Sequence, residues 1–157
     1  MIFLQEKGIE YGGRSLKQNS DFSFQVSMSR YLRDKAQEIH LAKGRGKTPM
    51  ADATPTEITQ MRGVVGKISW ASREGMPQGA GDASILSANL PNPKIADLTE
   101  ANAALRRLLQ NDVPIRTQPV PLEHLGLLSF SDASLGNTKG GSAQIGHLIC
   151  ATHKKNH

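Results

Sequence analysis

The sequence predicts an α+β fold: short N-terminal strands, a helical middle over about residues 26–111, and a C-terminal β-hairpin. Three observations support this prediction. The first 25 residues are rich in glycine and polar side chains, the middle repeats apolar residues at helical spacing, and two strand-like segments near the end flank a turn-rich segment. The chain of 157 residues has the size of one ordinary domain.

The N-terminal part changes character at Val26. Before it, Gly8, Gly12 and Gly13 indicate short strands joined by turns. After it, apolar residues on one helical face predict a helix; these are Met28, Tyr31, Leu32 and Ile39. Residues 43–49, with two glycines and a proline, are typical of a connector.

The next helix has a distinct start signal. Thr54 is a candidate N-cap, Pro55 suits the first helical position, and Glu57 completes a capping box. An apolar stripe follows, made of Ile58, Met61, Val65, Ile68 and Ala71. Gly63 and Gly66 each cost up to about 1 kcal/mol relative to alanine inside a helix, so we expect another element to pack closely there. Residues 75–77 end this helix.

Two further helices and a hairpin complete the prediction. Residues 83–90 form a short helix, and a third helix begins at Asp97, with Glu100 three residues later, and ends at Asn111. Its apolar stripe consists of Leu98, Ala101, Leu105, Leu108 and Leu109. Residues 125–131 are predicted to form a mostly buried strand that pairs with residues 142–151. The predicted segments are 1–50, 51–115 and 116–157.

Composition excludes several classes of protein. A single cysteine, Cys150, excludes a disulfide-stapled domain and a zinc site built from paired cysteines. No apolar run approaches the roughly 20 residues of a membrane span. Charge at Glu6 interrupts any signal-peptide core, so we expect an intracellular protein, cytoplasmic or nuclear, without a membrane partner.

The net charge of +5 is uneven along the chain. Residues 1–50 carry nine basic and five acidic side chains, which suits a phosphate-bearing partner. The candidate nucleic-acid-binding residues are Arg30, Arg33, Lys35, Lys43, Arg45 and Lys47. The alternative is that this charge serves only solubility.

Other candidate sites are weaker. The sequence GKT at residues 46–48 resembles the end of a phosphate-binding loop, but Leu41 stands where that motif needs glycine. His147, His153 and His157 flank Cys150 and could suggest a zinc site. His147 and Cys150 have opposite parity in a strand, however, so their side chains do not converge on a metal. Asp132 ends an apolar segment and is the candidate catalytic and metal-binding carboxylate, with a turn-capping role as the alternative.

Several motifs, in order, resemble the pol polyprotein of copia-type retrotransposons. YGGR at residues 11–14, FSFQV at 22–26 and YL at 31–32 are similar to the family's exit from the polymerase palm. TEITQMR at 56–62 with VGKISWA at 65–71 resembles its "E…YR…VG.L.WLA" helix, although REGMP at 73–77 stands where the family has "TRPD". The helix from Asp97, with Asn102, Arg106 and Arg107, resembles the helix before ribonuclease H. FSDAS at 130–134 and GSAQIGHLI at 141–149 resemble "SDAS…SQ.GYLI", the first two ribonuclease H strands, with His147 in place of tyrosine.

The resemblance implies a fragment that spans the end of reverse transcriptase and the start of ribonuclease H. It implies that residues 1–50 are the palm- or thumb-like end of reverse transcriptase, residues 51–115 a helical connection, and residues 116–157 a truncated ribonuclease H-like hairpin. Intact relatives act on RNA–DNA hybrids with Mg²⁺, and their "Y.DD" polymerase motif has no counterpart here, since the chain has no adjacent Asp-Asp pair. Asp132 matches the first ribonuclease H carboxylate, and no Asp or Glu follows it. Two-metal hydrolysis needs several carboxylates, so we expect the chain to be catalytically incomplete without the rest of the polyprotein. The alternatives are a non-enzymatic basic nucleic-acid-binding module and a decayed reading frame without function.

Overall fold

A computed structural model of the chain describes residues 8–136, 138 and 140–154. The chain divides into two compact units, Met1–Arg116 and Thr117–His157. The described elements include N-terminal strands, a helical middle and a C-terminal hairpin, which confirms the predicted α+β class.

The N-terminal segment forms short antiparallel strands: β1 (Ile9–Tyr11), β2 (Arg14–Gln18) and β3 (Phe24–Ser27). A fourth strand, β4 (Ile115–Thr117), completes a sheet of order β1-β2-β3-β4. Gly12 and Gly13 connect β1 to β2 with φ of 58° and 82°. Two consecutive positive φ angles match the right-handed twist of a tight hairpin, and glycine adopts them without steric cost.

The first helix, α1 (Ser29–Lys35), is shorter than predicted. Val26 lies in β3, and Ile39 follows the end of the helix, yet Ile39 is buried. The Asn102 side chain supplies the hydrogen bonds that a helix would supply: its Oδ1 accepts from the Ile39 N–H at 2.7 Å, and its Nδ2 donates to the Ile39 carbonyl at 2.9 Å. The predicted extension of this helix to Ile39 is therefore wrong.

The second helix, α2 (Pro55–Glu74), begins as predicted. The Glu57 N–H donates to Thr54 Oγ1 at 3.3 Å, and the Thr54 N–H donates back to Glu57 Oε2 at 2.8 Å. Pro55 occupies the first turn, where its missing N–H costs no hydrogen bond. The helix ends before Gly75, whose N–H donates to the Ala71 carbonyl.

The hydrophobic core of the first unit lies between α2, α1 and two later helices, α3 (Ala80–Asn89) and α4 (Ile95–Gln110). Helix α2 buries one face, namely Met61, Val64, Val65, Ile68 and Ala71. Helix α4 buries its predicted stripe, apart from the partly buried Leu109. Residues on both sides of position 50 contribute to this core.

Helix α4 starts two residues earlier than predicted. Lys94 is the residue before the helix, and Asp97 lies inside the first turn. The Asp97 carboxylate accepts from the Lys94 N–H at 2.7 Å and from Asn89 Nδ2 at 3.0 Å. An aspartate can accept hydrogen bonds from free amides either as the residue before the helix or as the third residue within it. Its presence therefore locates a helix start only to within a few residues.

The expected close packing at Gly63 and Gly66 is wrong for the described residues. A Cβ atom at Gly66 would meet no described atom within 4 Å, and one at Gly63 would meet only Lys67 Nζ, at 3.7 Å. Both glycines lie away from the buried face of α2. Packing against the described part of the chain therefore does not account for them.

The second unit contains the predicted hairpin, β5 (Leu125–Ser134) and β6 (Gln144–His153), paired in antiparallel register from Leu125↔His153 to Ser134↔Gln144. The prediction that its first strand is mostly buried is wrong. Apolar side chains are exposed on both faces: Leu127 (73%) and Ile145 (79%) on one, Phe130 (54%) and Leu148 (51%) on the other. Among the described helices, none is long and apolar enough to span a bilayer.

Two glycines provide a matched test of this packing. Gly66→Ala should raise the free energy of unfolding by up to about 1 kcal/mol, because the helix gains propensity and the new methyl group meets open space. Gly79→Ala should lower it by roughly 1–3 kcal/mol, because its Cβ would lie 2.7 Å from Ser72 Oγ and 2.9 Å from Leu108 Cδ2. Urea unfolding of both variants measures the difference, and a destabilising Gly66→Ala would contradict the described environment.

Candidate functional site

The structure holds two of the six predicted nucleic-acid-binding residues in weak ion pairs. Arg30 lies 3.5 Å from Glu10 and 3.7 Å from Asp34, and Arg33 lies 3.6 Å from Asp112. Both arginine side chains are more than half exposed. Exposed pairs at such distances contribute about 0–1 kcal/mol, so an anionic ligand could displace these carboxylates at little cost.

Arg45 has a structural role instead. Its guanidinium donates to both Glu57 carboxylate oxygens, at 3.1 and 2.6 Å, and to the Asp52 carbonyl at 3.0 Å. These bonds join the connector to the first turn of α2. The hydrogen bond from Arg45, together with those from Thr54, outweighs burial and lowers the pKa of Glu57 from 4.5 to about 2.

Lys35, Lys43 and Lys47 are exposed. Within residues 8–136, 138 and 140–154, no carboxylate lies within 4 Å of their ammonium groups. Lys47 ends a 3-10 turn, Arg45–Lys47, that occupies the predicted connector. The six predicted residues therefore divide into two weakly paired arginines, one structural arginine and three solvated lysines.

A groove of about 480 Å³ brings Arg30 and Arg33 together with Lys17 of β2. Glu10 and Asp112, the partners of the two arginines, also line it. Lys35, Lys43, Arg45 and Lys47 do not. The groove thus holds three cations and two carboxylates, and sequence spacing alone could not have identified Lys17 as their neighbour.

Asp132 lies within β5 rather than at its end, opposite Gly146 of β6. Its side chain is exposed, and its Oδ1 accepts from the Ala133 N–H at 2.9 Å. Among the described residues, no group of three or more His, Cys, Asp or Glu side chains could hold a metal ion. A single carboxylate does not provide the donor set of a Mg²⁺ site, which takes six oxygen ligands in octahedral geometry.

His147 and Cys150 lie on opposite faces of β6, as their parity predicts, since His147 is opposite Ser131 and Cys150 is opposite Leu128. His147 Nε2 instead shares a 2.9 Å hydrogen bond with Ser129 Oγ. His153 contacts the ring of His124, with 4.9 Å between ring centroids. His157 lies outside the described residues.

Ion pairing distinguishes two arginines that lie outside the six predicted nucleic-acid-binding residues. Seven of the nine arginines pair with a carboxylate: Arg14, Arg30, Arg33, Arg45, Arg106, Arg107 and Arg116. Arg62 and Arg73 have no such partner among the described residues, and both are exposed on α2. Their spacing with Gly66 and Trp70, in steps of three or four residues, was the sequence signal for a shared face.

No protein-family model, curated protein or solved structure matches this chain.

The depressed pKa of Glu57 predicts a pH dependence. Because its pKa of about 2 lies below the ordinary value of 4.5, its ion pair stabilises the fold fully above about pH 4.5 and loses that contribution as the pH falls toward 2. Glu57→Gln should lower the free energy of unfolding at pH 7 by about 2 kcal/mol, a figure reduced for the partial exposure of Arg45. The substitution should also flatten the plot of the free energy of unfolding against pH between about pH 4.5 and pH 2.

Urea unfolding at a series of pH values measures both effects. Glu100→Gln is the matched control, because Glu100 pairs with Arg107 at an exposed position and its loss should cost under about 1 kcal/mol. Parallel pH curves for the parent and Glu57→Gln would contradict the role assigned to Glu57.

Proposed function

We propose that the chain is a segment of a copia-type reverse transcriptase–ribonuclease H polyprotein and is catalytically incomplete by itself. The observation that carries the proposal is the β5–β6 hairpin, in which FSDAS at 130–134 and QIGHLI at 144–149 belong to paired strands. The resemblance implies that these motifs form the first two strands of the ribonuclease H sheet.

The surface of the hairpin supports the proposal. A two-stranded ribbon is marginally stable in water by itself, and this one exposes apolar side chains on both faces. Strands covered on both faces belong to the interior of a layered sheet, where further elements pack above and below. The hairpin is therefore suited to be part of a larger sheet.

The small number of acidic residues around Asp132 supports the proposal that the chain is catalytically incomplete. Hydrolysis with two metal ions needs several carboxylates around the cations, because one carboxylate cannot balance their charge. In this sequence no acidic residue follows Asp132, and the described residues around it add none. The remaining acidic residues of the family site would come from a downstream segment of the polyprotein, and Mg²⁺ would bind only after that segment joins Asp132.

Cleavage of an RNA–DNA hybrid tests this proposal. The 157-residue chain should show no Mg²⁺-dependent cleavage above background, and Asp132→Asn should leave that result unchanged. Extension with a downstream segment that carries the family's remaining acidic residues should create activity, which Asp132→Asn should abolish, because the amide removes the charge that holds the metal. Glu123→Gln, in the same unit, is the control that should leave the extended protein active.

Cleavage by the 157-residue chain itself, lost in Asp132→Asn, would overturn the incomplete assignment. An extended protein that stays inactive, with its fold verified by circular dichroism, would count against the ribonuclease H assignment of the hairpin.

A second candidate function is binding of nucleic acid, including an RNA–DNA hybrid, by residues 30–47, the basic segment that contains the six predicted nucleic-acid-binding residues. The supporting observation is that Arg30 and Arg33 are only weakly paired and share a groove with Lys17. Binding through phosphates would be independent of sequence, and its affinity would fall with salt at a log–log slope of about −0.9 per contact on a duplex.

A salt titration on an RNA–DNA hybrid tests this second candidate. Replacement of Arg30 and Arg33 with glutamine should make the slope less steep by roughly two such contacts. Arg116→Gln, which removes an arginine paired with Asp21, is the control expected to change the slope little. Absence of binding at low salt would reject this function for the basic segment.

A further inference from the structure

Helix α2 presents an exposed surface that faces away from the core. We define the α2 outer face as Thr59, Arg62, Gly66, Lys67, Trp70 and Arg73, all of them exposed except Lys67, which is partly buried. Apart from Lys67, which lies beside the others, these residues follow one another in steps of three or four, which places them on one side of the helix. We propose that the α2 outer face binds a single-stranded nucleic acid, with its cations on phosphates and Trp70 stacked on a base.

The charge of this face is uncompensated. Arg62, Lys67 and Arg73 have no ion pair or hydrogen-bonded side-chain partner within the part of the chain that the structure describes. The carboxylates of residues 8–116 are already engaged: Asp97 accepts hydrogen bonds, and each of the others pairs with a cation elsewhere. Three positively charged side chains on one helix suit a polyanion, which supplies several negative groups at once.

The glycines leave the face open to close approach. Gly66 lies between Arg62 and Trp70, and a Cβ there would meet no described atom within 4 Å. At Gly63, a Cβ would meet only the Nζ of Lys67, at 3.7 Å. Since each glycine lowers helix stability and no described element packs on either, their use is explained by a ligand that approaches the helix backbone.

Trp70 adds an aromatic surface to these cations. Its side chain is 42% exposed, although α2 has a buried face available for apolar residues. An exposed ring beside arginines is the arrangement on which unpaired bases stack, and it favours single strands because bases in a duplex are already stacked. Arg62 and Arg73 are about 16 Å apart along the helix axis, a distance that two or three nucleotides of an extended strand cover.

This inference is independent of the polyprotein assignment and of the basic segment. It concerns a different surface, and its test requires no cleavage. The same face could attract an acidic protein, because both ligands carry negative charge. An arm with poly-glutamate therefore belongs in the experiment.

Intrinsic fluorescence provides a direct readout, because Trp70 is the single tryptophan of the chain. The full chain should show quenching of Trp70 on addition of oligothymidylate or oligouridylate at low salt. Affinity should fall with salt at a log–log slope of roughly −2, which is three contacts at about −0.7 each on a single strand. Poly-glutamate should cause no saturable quenching.

Three variants test the parts of the face. Arg62→Gln with Arg73→Gln should reduce the slope by roughly 1.4. Trp70→Ala, followed by fluorescence anisotropy of a labelled oligonucleotide, should weaken binding about fivefold or more. Gly66→Gln should weaken binding while leaving the thermal midpoint equal or higher, so the loss would not come from unfolding.

The matched control removes the same charge from another helix. Arg106→Gln with Arg107→Gln changes two exposed arginines of α4 that are already paired with carboxylates, and it should alter the slope much less. Equal effects of the two double variants, absence of quenching at low salt, or stronger binding of poly-glutamate would each overturn the proposal. A hybrid-cleavage result in either direction would leave it unchanged.

Discussion

The one-sided burial of α2 is the constraint on which the first unit depends. This helix packs against α1, α3 and α4, and its apolar stripe lies at the centre of their shared core. Because helical side chains three and four positions apart share a face, burial of Met61, Val65 and Ile68 determines what the opposite side presents. Arg62 and Trp70 are exposed for this reason, so the same packing that stabilises the unit also selects its candidate ligand surface.

The start of α2 could be predicted from the sequence because its determinants are local. Thr54, Pro55 and Glu57 lie within four residues and satisfy one another's backbone groups. The end of α1 could not be predicted in this way. Ile39 continues the helical spacing of the apolar residues, yet its backbone bonds to Asn102, which is 63 positions away. A periodic pattern indicates which residues are buried. It does not show that the backbone of Ile39 bonds to a side chain of a distant helix instead of to its own helix, because that bond is a tertiary contact.

The candidate sites show the same distinction between local and distant determinants. Sequence spacing grouped Arg30 and Arg33 with other cations, but it could not show which arginines meet carboxylates from distant elements. A count of charges gives no signal for Arg62 and Arg73, because the central part of the chain has almost no net charge. The prediction that β5 is mostly buried is wrong for a related reason. Apolar composition indicates that a strand can lie in a protein interior, but its burial depends on other elements that pack against it.

The contact between Asn102 and Ile39 has a consequence for amide hydrogen exchange. Ile39 belongs to no helix or strand, and residues in irregular segments usually exchange their amide hydrogens rapidly. Here the amide hydrogen is bonded to a buried side chain of α4, and Ile39 itself belongs to the hydrophobic core. Its exchange requires this segment to separate from α4, so a residue of irregular structure would report the opening of the helical core.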